Sequence, residues 1–292
     1  MNKLRSYTLA GACLLALGAC SNSSDSPSTL TLSIMDGPIE SAEAVVVEFS
    51  GVVIKPAGGD EIEVIFDQAK SIDLLQLQNG NTAFLLENIE LEPGRYNWIH
   101  LMVNDDSNRD DTYITVAGVK HELTIPSSSQ TGLKLISGFD IDAGGNSHFT
   151  IDFDLRKSVV HNVQGYKLKP TLRLVDNSEA GHIAGTVDAT VLSTNNCGST
   201  DTVAASVYVF SGSSITPDDV GSPTPPLATS NVVYSTEDQS YRYKVAYLPE
   251  GDYTVALTCE ASVDDAEAND DIAFVSSQNV SVSANSTQTA DF

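Results

Sequence analysis

Short apolar stretches separated by turn residues run through most of this chain, and they constrain its fold more than any other feature. From Thr29 to Ile34, apolar and hydroxyl side chains alternate, which is the period-two pattern of a half-buried β-strand. Asp36-Gly37-Pro38 is then a turn signal, and Ala117-Gly118 and Gly144-Gly145 predict hairpins. No segment keeps a helical period over several turns. The pattern predicts an all-β protein made of β-sandwiches.

The length of the chain and one polar break between strands indicate two domains. The chain has 292 residues, more than a single sandwich of about 100 residues needs, and the polar stretch 177–181 interrupts the strands. We therefore predict two tandem β-sandwich domains, at residues 29–177 and 181–292. Within the second, residues 212–229 are rich in Pro, Ser and Gly, and we expect an exposed loop there.

The N-terminus has the composition of a targeting segment. Lys3 and Arg5 are followed by an apolar stretch at residues 7–17, which is shorter than the roughly 20 residues that cross a membrane as a helix. A positive start, a short apolar segment and small residues before a cleavage point predict a secretory signal peptide at 1–19. Residues 20–28 are Cys followed by mostly Ser, Asn, Asp and Pro, and they predict a flexible tether.

Charge excludes one class of partner. The chain has 39 acidic and 15 basic residues, and removal of residues 1–19 leaves 13 basic residues and a net charge near −26. Nucleic acids and anionic lipid head groups both need a basic surface, so we predict neither as a partner. The acidic surface suits a well-solvated envelope protein, and its carboxylates are groups that could hold divalent cations.

Cysteine number predicts one disulfide. Cys13 leaves with the signal peptide and Cys20 lies at the cleavage point, so Cys197 and Cys259 remain. An even pair in an oxidising compartment predicts a bridge between them, with two buried thiols as the alternative. In the chain-entropy model so long a loop gives a stabilisation of about 4–5 kcal/mol, which strain in the folded state reduces.

A six-residue pattern occurs twice. Residues 91–96 (Leu-Glu-Pro-Gly-Arg-Tyr) and 248–253 (Leu-Pro-Glu-Gly-Asp-Tyr) share Leu, Gly and Tyr at equal spacing. In each copy we expect the Gly to permit a tight turn and the Tyr to cover the edge of the core with its hydroxyl in water. The repeat predicts similar sandwich corners in both halves.

Leu17-Gly18-Ala19-Cys20 resembles the lipobox of bacterial lipoprotein precursors. In that family the Cys becomes the lipidated first residue, so the resemblance implies a membrane anchor at Cys20. More than one acyl chain is attached there, which is enough for stable attachment. Ser21 stands where an Asp would retain such a protein in the inner membrane, which implies the outer membrane, at its periplasmic face or at the cell surface. A secreted protein with a chance Cys is the alternative.

Two further resemblances cover the rest of the chain. Residues 29–177 resemble a bacterial lipoprotein family defined by a domain of unknown function, and that family carries no established activity. The blocks that carry this likeness are residues 33–38, 44–56, 72–77, 91–96 and 166–170. Residues 181–292 resemble transthyretin-like sandwiches, the carboxypeptidase-regulatory-like and starch-binding-fold modules. The second likeness rests on residues 185–187, 205–209, 248–253 and 280–282. Such a fold does not assign a function.

We predict no enzymatic activity and no resident cofactor. The chain has no Gly-x-Ser-x-Gly, and His121-Glu122 continues without the second His of a zinc protease. The five His residues lie between positions 100 and 182 without metal-ligand spacing, and we expect ordinary surface or strand histidines. A catalytic carboxylate pair assembled in space is left open by so acidic a chain.

Calcium is a weaker hypothesis. Asp106, Asn108 and Asp110 alternate as oxygen ligands do in a turn, with Asp105 beside them. The EF-hand template also needs Gly and Glu at positions occupied here by Asp111 and Ala117, so that template fails. A second acidic run, residues 264–271, has no recognised ligand spacing, and acidic runs in loops are usually solvated.

A glycan surface is the other hypothesis for the second domain. Tyr241, Tyr243 and Tyr247 alternate along one strand with Val245 on their side, opposite Arg242 and Lys244. An aromatic stripe interleaved with Val is also the pattern of a core face, and the two interpretations differ in exposure. The sequence thus predicts a non-enzymatic, lipid-anchored envelope protein that presents binding or structural β modules to a glycan or an envelope protein. A carbohydrate-binding accessory lipoprotein and a Ca²⁺-stabilised adhesion module are the alternatives.

Overall fold

The computed structural model describes residues 27–39, 42–104, 110–126, 133–169, 171–199 and 202–292. The predicted signal peptide, Cys20 and most of the predicted tether lie outside these ranges. The structure is nearly all β, with 58% strand and 6% helix, which confirms the predicted fold class. None of the helices in the described ranges combines the length and the apolar character that a membrane crossing requires.

The first half of the described chain contains thirteen strands and two short helical turns. The strands are β1 (Thr29–Gly37), β2 (Ala44–Pro56), β3 (Ile62–Asp73), β4 (Ala83–Glu90), β5 (Gly94–Val103), β6 (Tyr113–Val116), β7 (Val119–Thr124), β8 (Leu133–Leu135), β9 (Phe139–Ile141), β10 (Asn146–Asp154), β11 (Val159–Asn162), β12 (Gly165–Leu168) and β13 (Leu172–Asp176). The helical turns are a 3₁₀ helix (Leu74–Leu77) and α1 (Leu155–Ser158).

Two sheets enclose one apolar core in this half. The smaller sheet has the order β13-β10-β1-β4, and the larger runs β11-β12-β7-β6-β2-β5-β8, with β3 on β2 and β9 on β5. Buried side chains of β1, such as Leu32, and of β10, such as Phe153, lie in the same cluster as Phe49 of β2 and Leu101 of β5. The core therefore fills the space between the two sheets, as in a sandwich.

Two hairpins predicted from glycine-containing dipeptides have different outcomes. Ala117 and Gly118 both have positive φ, of 49° and 73°, and they join β6 to β7 as predicted. The hairpin predicted at Gly144-Gly145 is wrong. β9 before it pairs with β5 of the larger sheet, whereas β10 after it lies in the smaller sheet beside β1 and β13. This turn carries the chain from one sheet to the other.

The second half contains ten strands and one helix in its described part. The strands are β14 (Ala180–Val187), β15 (Gly198–Ser199), β16 (Thr202–Val203), β17 (Ser206–Ser211), β18 (Ala228–Asn231), β19 (Val233–Ser235), β20 (Ser240–Pro249), β21 (Gly251–Thr258), β22 (Phe274–Val282) and β23 (Thr287–Thr289). The helix α2 (Ala189–Thr194) follows β14.

Two four-stranded sheets form the main body of this half. Their orders are β19-β20-β14-β23 and β18-β17-β21-β22, and β15 pairs with β16 separately. Side chains of both four-stranded sheets share one apolar cluster, which includes Ile183, Val245, Val207 and Leu257. This cluster and the core of the first half have no residue in common.

A further apolar cluster covers the outer face of β17 and β21. Tyr208 and Phe210 of β17 and Ala256 of β21 are buried there under Val220. Residues 212–229, predicted as an exposed loop, are therefore partly packed. The expectation missed that β17 has apolar side chains on both faces, and a strand of that kind needs a cover on each side.

Candidate functional site

Cys197 and Cys259 form a disulfide, which confirms the predicted pair. Their Cα atoms lie 4.9 Å apart, and Cys197 is fully buried. The bridge joins the segment that follows α2 to the end of β21. It therefore fixes the helical connection against the sheet that carries the second core.

The first calcium hypothesis lies mostly outside the described ranges. Asp105, Asp106 and Asn108 fall within residues 105–109. Asp110 is described and its carboxylate accepts a hydrogen bond of 2.8 Å from Lys120 Nζ, a contact that lowers the pKa of Asp110 together with the lysine charge. Within the described ranges, no three His, Cys, Asp or Glu side chains are grouped as a metal ion requires. Calcium binding at this loop stays a prediction.

The three tyrosines of the glycan hypothesis do not form one exposed face. The exposed tyrosine surface that this hypothesis requires is therefore absent from the described structure. Tyr243 is 2% exposed, and its hydroxyl donates to the Ala290 carbonyl at 2.5 Å. Tyr241 is half-buried. Tyr247 leaves the alternation, because the β14–β20 register shifts beside it and its φ is 53°. Its backbone N–H donates to His182 Nδ1 at 3.1 Å. The stripe is mainly a core face.

The repeated six-residue pattern forms the same hydrogen bond in both halves. Tyr96 donates to the Glu92 carbonyl at 2.8 Å, and Tyr253 donates to the Pro249 carbonyl at 2.6 Å. Both rings are buried, and Gly94 and Gly251 supply the positive φ of the intervening turn. These are tyrosine corners of the kind found in immunoglobulin-like sandwiches. The hydroxyls, predicted to be in water, are instead bonded to the backbone.

A buried charged network connects the two halves. Arg156, in α1, is 6% exposed, and its guanidinium donates to the hydroxyl of Tyr208 in β17 and lies 5.2 Å from the centre of that ring. Tyr208 in turn donates to Asp264 at 2.5 Å, and Asp264 also accepts the Val220 N–H at 3.1 Å. Burial raises the pKa of Asp264, while these two hydrogen bonds and Arg156 oppose the rise. Asp264 is thus a buried anchor, although the sequence predicted a solvated acidic run.

Further polar contacts join residues that are distant in sequence. Lys157 Nζ donates to the Pro226 carbonyl at 2.7 Å and lies 3.0 Å from the Asp154 carboxylate. The Ser230 hydroxyl donates to Asn79 Oδ1 at 3.0 Å, and Asn285 donates to the Ser178 carbonyl at 2.9 Å. Together with the Arg156 network, these contacts are called the junction below.

One carboxyl group at the end of β1 is buried without a hydrogen bond of normal geometry. Asp36 continues the inward-facing series of Leu32 and Ile34, and it is 2% exposed. Neither of its oxygens accepts a hydrogen bond of normal geometry. Burial raises the pKa of Asp36 well above its usual value, and the charges of Asp152 and Asp154 raise it further. The group is therefore a source of pH-dependent stability rather than an ion-pair partner.

A cleft of about 400 Å³ lies beside the junction, on the outer face of the β19-β20-β14-β23 sheet. Its lining includes Ala184 and Thr186 of β14, Val233 of β19, Arg242 and Lys244 of β20, and Asn79 of the first half. The alternation of β20 puts the two cations on this outer face because Tyr243 and Val245 occupy the core face. Sequence reasoning placed these cations opposite the tyrosines but gave them no role.

Comparison with solved structures gives only distant overlaps. A leucine-rich repeat protein from Bacteroides thetaiotaomicron is 13% identical with a TM-score of 0.23, and the overlap covers 91% of this chain but 26% of that one. The Bacillus anthracis TIE protein is 9% identical with a TM-score of 0.21, over 91% and 34% of the two chains. GBS52, the minor pilin of Streptococcus agalactiae, is 10% identical with a TM-score of 0.20, over 90% and 94%. The chain thus spans about a quarter and a third of the first two proteins, and similarity this low supports no conclusion about function.

Comparison by sequence is more specific for the first half. No curated protein matches the chain. The family model "Domain of unknown function (DUF4382)" matches residues 27–170, in agreement with the resemblance over residues 29–177. The transthyretin-like character of residues 181–292 stays a prediction. Residues 27–170, which contain the Asp36 and Arg156 groups described above, are therefore similar to the DUF4382 family.

Proposed function

We propose that this protein is a non-enzymatic, lipid-anchored envelope protein that presents two β-sandwich domains, residues 29–177 and 181–292, as a single unit. In this proposal Cys20 carries the anchor in the outer membrane, and residues 21–27 form the tether between the lipid and the first sandwich. Ser28, predicted as part of the tether, is buried and accepts hydrogen bonds from the Gly144 and Leu91 N–H groups. The proposal combines the lipobox-like sequence with the way the two halves contact each other.

The junction is the observation that carries the proposal. Arg156 crosses from α1 into the second half, where Tyr208 and Asp264 receive it in an almost fully buried network. Removal of one partner from a buried charged network costs about 3–5 kcal/mol because the remaining charge is left without compensation. Relative motion of the two halves would expose or break this network. A fixed arrangement of two modules suits display or spacing.

The buried ionisable groups support a structural role for the same reason. Arg173 contacts the Asp152 carboxylate at 2.6 Å, Lys157 contacts Asp154, and Asp264 anchors Tyr208. Each of these acids holds two elements of the fold together. Burial raises the pKa of Asp152 and of Asp264, and the contacts with Arg173 and Tyr208 oppose that rise. Structural networks of this kind perturb pKa values without a catalytic role.

Cell fractionation with two matched cysteine substitutions tests the anchor. Cys20→Ser removes the proposed lipidation site, and we expect the protein to leave the membrane fraction. Cys13→Ser changes the same atoms within the predicted signal peptide, and we expect the protein to stay with the membrane. A Cys20→Ser protein that remains wholly in the membrane fraction would refute the proposal.

A further inference from the structure

The second half concentrates its positive charge at one place. Arg242 and Lys244 are the only basic residues between positions 181 and 292, against fifteen acidic residues. They lie two positions apart on β20, so their Cα atoms are about 7 Å apart and their side chains share one face. Both line the cleft of about 400 Å³. The basic groups of this half thus converge on a single concave surface.

Lys244 is the group in the cleft whose charge is not compensated. Its side chain is half-buried, and within the described part of the chain it has neither a hydrogen bond nor an ion pair. It packs over Gly80, where an added Cβ would lie 3.2 Å from the lysine Nζ. Contact with the first half therefore restrains the lysine. An ammonium that is held in place and has lost part of its water favours an anionic partner.

The other two charged groups of the cleft lining, Arg242 and Asp291, have hydrogen-bond partners. Arg242 contacts Asp238 at 2.7 Å, with about half of its side chain still exposed. Asp291 also lines the cleft, and its Oδ1 accepts both the N–H and the hydroxyl of Thr186, at 2.7 and 3.0 Å. Thr186 is neutral, so these hydrogen bonds hold the Asp291 carboxylate in place and leave its negative charge in the cleft wall. Lys244 is the cation of the cleft that has no ion pair within the described part of the chain, and we expect an anionic group to bind on its side, away from Asp291.

The remaining lining suits a hydroxylated ring. Thr186 and Asn79 present hydroxyl and amide groups, whereas Ala184 and Val233 present apolar surface, and Val233 is 43% exposed. A volume of about 400 Å³ lies in the range of small-molecule sites, which combine apolar walls with a few placed polar groups. Sugars have hydroxyls at the edge of the ring and C–H groups on its faces, so both kinds of wall have a counterpart.

We propose that this cleft binds a sugar that carries one anionic group, with Lys244 and Arg242 at the anion and the neutral walls around the ring. A carboxylate, as in a uronic acid, and a phosphate ester share this charge chemistry. The cleft lies on the face of β20 that carries Arg242 and Lys244, opposite the buried ring of Tyr243, although Tyr243 also borders it. This site goes beyond the proposed display function and does not depend on the lipid anchor.

Isothermal titration of the mature chain with sodium glucuronate, glucose 6-phosphate and glucose tests this site. We expect at least one anionic sugar to bind saturably and at least tenfold more tightly than glucose. Lys244→Met should weaken that binding roughly ten- to hundredfold, the effect of losing one hydrogen bond to a charged group. Lys55→Met, which removes an ammonium group that donates to the nearby Gly59 carbonyl, should leave it unchanged.

The pattern of binding decides the outcome. Glucuronate binding alone identifies a carboxylate ligand, and glucose 6-phosphate binding alone identifies a phosphate ester. Melting temperatures of both lysine variants establish that they are folded. Affinity equal to that of glucose, or affinity unaffected by Lys244→Met in a folded variant, overturns the proposal. Because the anchor is tested separately through Cys20, failure of one proposal does not affect the other.

Discussion

Removal of the Tyr253 hydroxyl isolates the contribution of one tyrosine-corner hydrogen bond to the free energy of unfolding. In Tyr253→Phe the ring stays, so the apolar contacts of a side chain that is 3% exposed are kept. The change deletes the 2.6 Å hydrogen bond to the Pro249 carbonyl. It also leaves Gly251, with its φ of 155°, without the contact that closes the turn around it.

The expected loss of stability in Tyr253→Phe depends on whether water can reach the Pro249 carbonyl. Pro249 is exposed, so water can reach its carbonyl once the hydroxyl is gone. The loss is then the net value of one hydrogen bond, about 0.5–1.5 kcal/mol, rather than the larger cost of a buried unpaired group. For a cooperative unit of about 110 residues this corresponds to a melting temperature lower by about 2–6 °C.

Differential scanning calorimetry of the disulfide-bonded protein measures this shift. Tyr234→Phe is the matched control, because Tyr234 is half-buried and packs on Tyr241 at 5.0 Å between ring centres, a contact that Phe retains. We expect the control to melt within about 1 °C of the parent, as mild surface substitutions do. Equal shifts for Tyr253→Phe and Tyr234→Phe would mean that the corner hydrogen bond contributes nothing, and the corner would then be only a packing feature.

Two further substitutions test the buried acid and a close contact between strands. The raised pKa of Asp36 means that the stability present below the unfolded pKa of about 3.9 is lost as pH rises towards the folded pKa. Asp36→Asn should therefore raise the unfolding free energy by about 1–3 kcal/mol at pH 7 and by little near pH 3.5. Urea titrations across pH check this, with exposed Asp142→Asn as the control; a gain that does not depend on pH would contradict the assignment. Gly185→Ala should cost about 1–3 kcal/mol, because its Cβ would lie 1.9 Å from the Ala290 carbonyl oxygen and force β23 away from β14. Gly145→Ala meets no atom within 4 Å and should be neutral in the same titration, so equal effects would refute this reasoning.

Local features of the fold were predictable from the sequence. The hairpin at Ala117-Gly118 follows from a glycine, which adopts positive φ readily, between two short β-rich segments. The likeness of the two tyrosine corners was visible as a six-residue repeat. These features depend on a few neighbouring residues, which is the range over which sequence patterns are informative.

Strand pairing between distant segments was not predictable from these local patterns, and the packing over the outer face of β17 was missed. Gly144-Gly145 has the composition of a hairpin turn, yet it connects two sheets, because strand partners depend on contacts far apart in sequence. The packing of residues on the outer face of β17 could have been predicted from the sequence. Residues 207–210 are a continuous apolar run, which implies burial of both faces of the strand. Tyr247 left the predicted stripe through a bulge that shifts the face of every residue after it.

The candidate cleft was likewise predictable only in part. The alternation of β20 places Arg242 and Lys244 together, and the sequence shows that no other basic residue follows position 181. The contributions of Asn79 and Gly80 come from the other half of the chain, about 160 residues earlier, and only the folded structure brings them to Lys244. The unpartnered state of Asp36 is likewise a property of packing and not of its neighbours in sequence.

The parallel pairing of β1 with β10 sets an order for folding. Thr29 is opposite Asn146 and Gly37 is opposite Asp154, so β1 completes its sheet only after more than a hundred further residues are present. Contacts this distant slow folding, since the intervening loop must close before they form. In a chain that emerges N-terminus first, the segment nearest the proposed anchor must wait for its partner while one edge is unpaired. If such a chain is exported, the edge of β1 stays unpaired until β10 has also crossed the membrane, and unpaired strand edges favour aggregation.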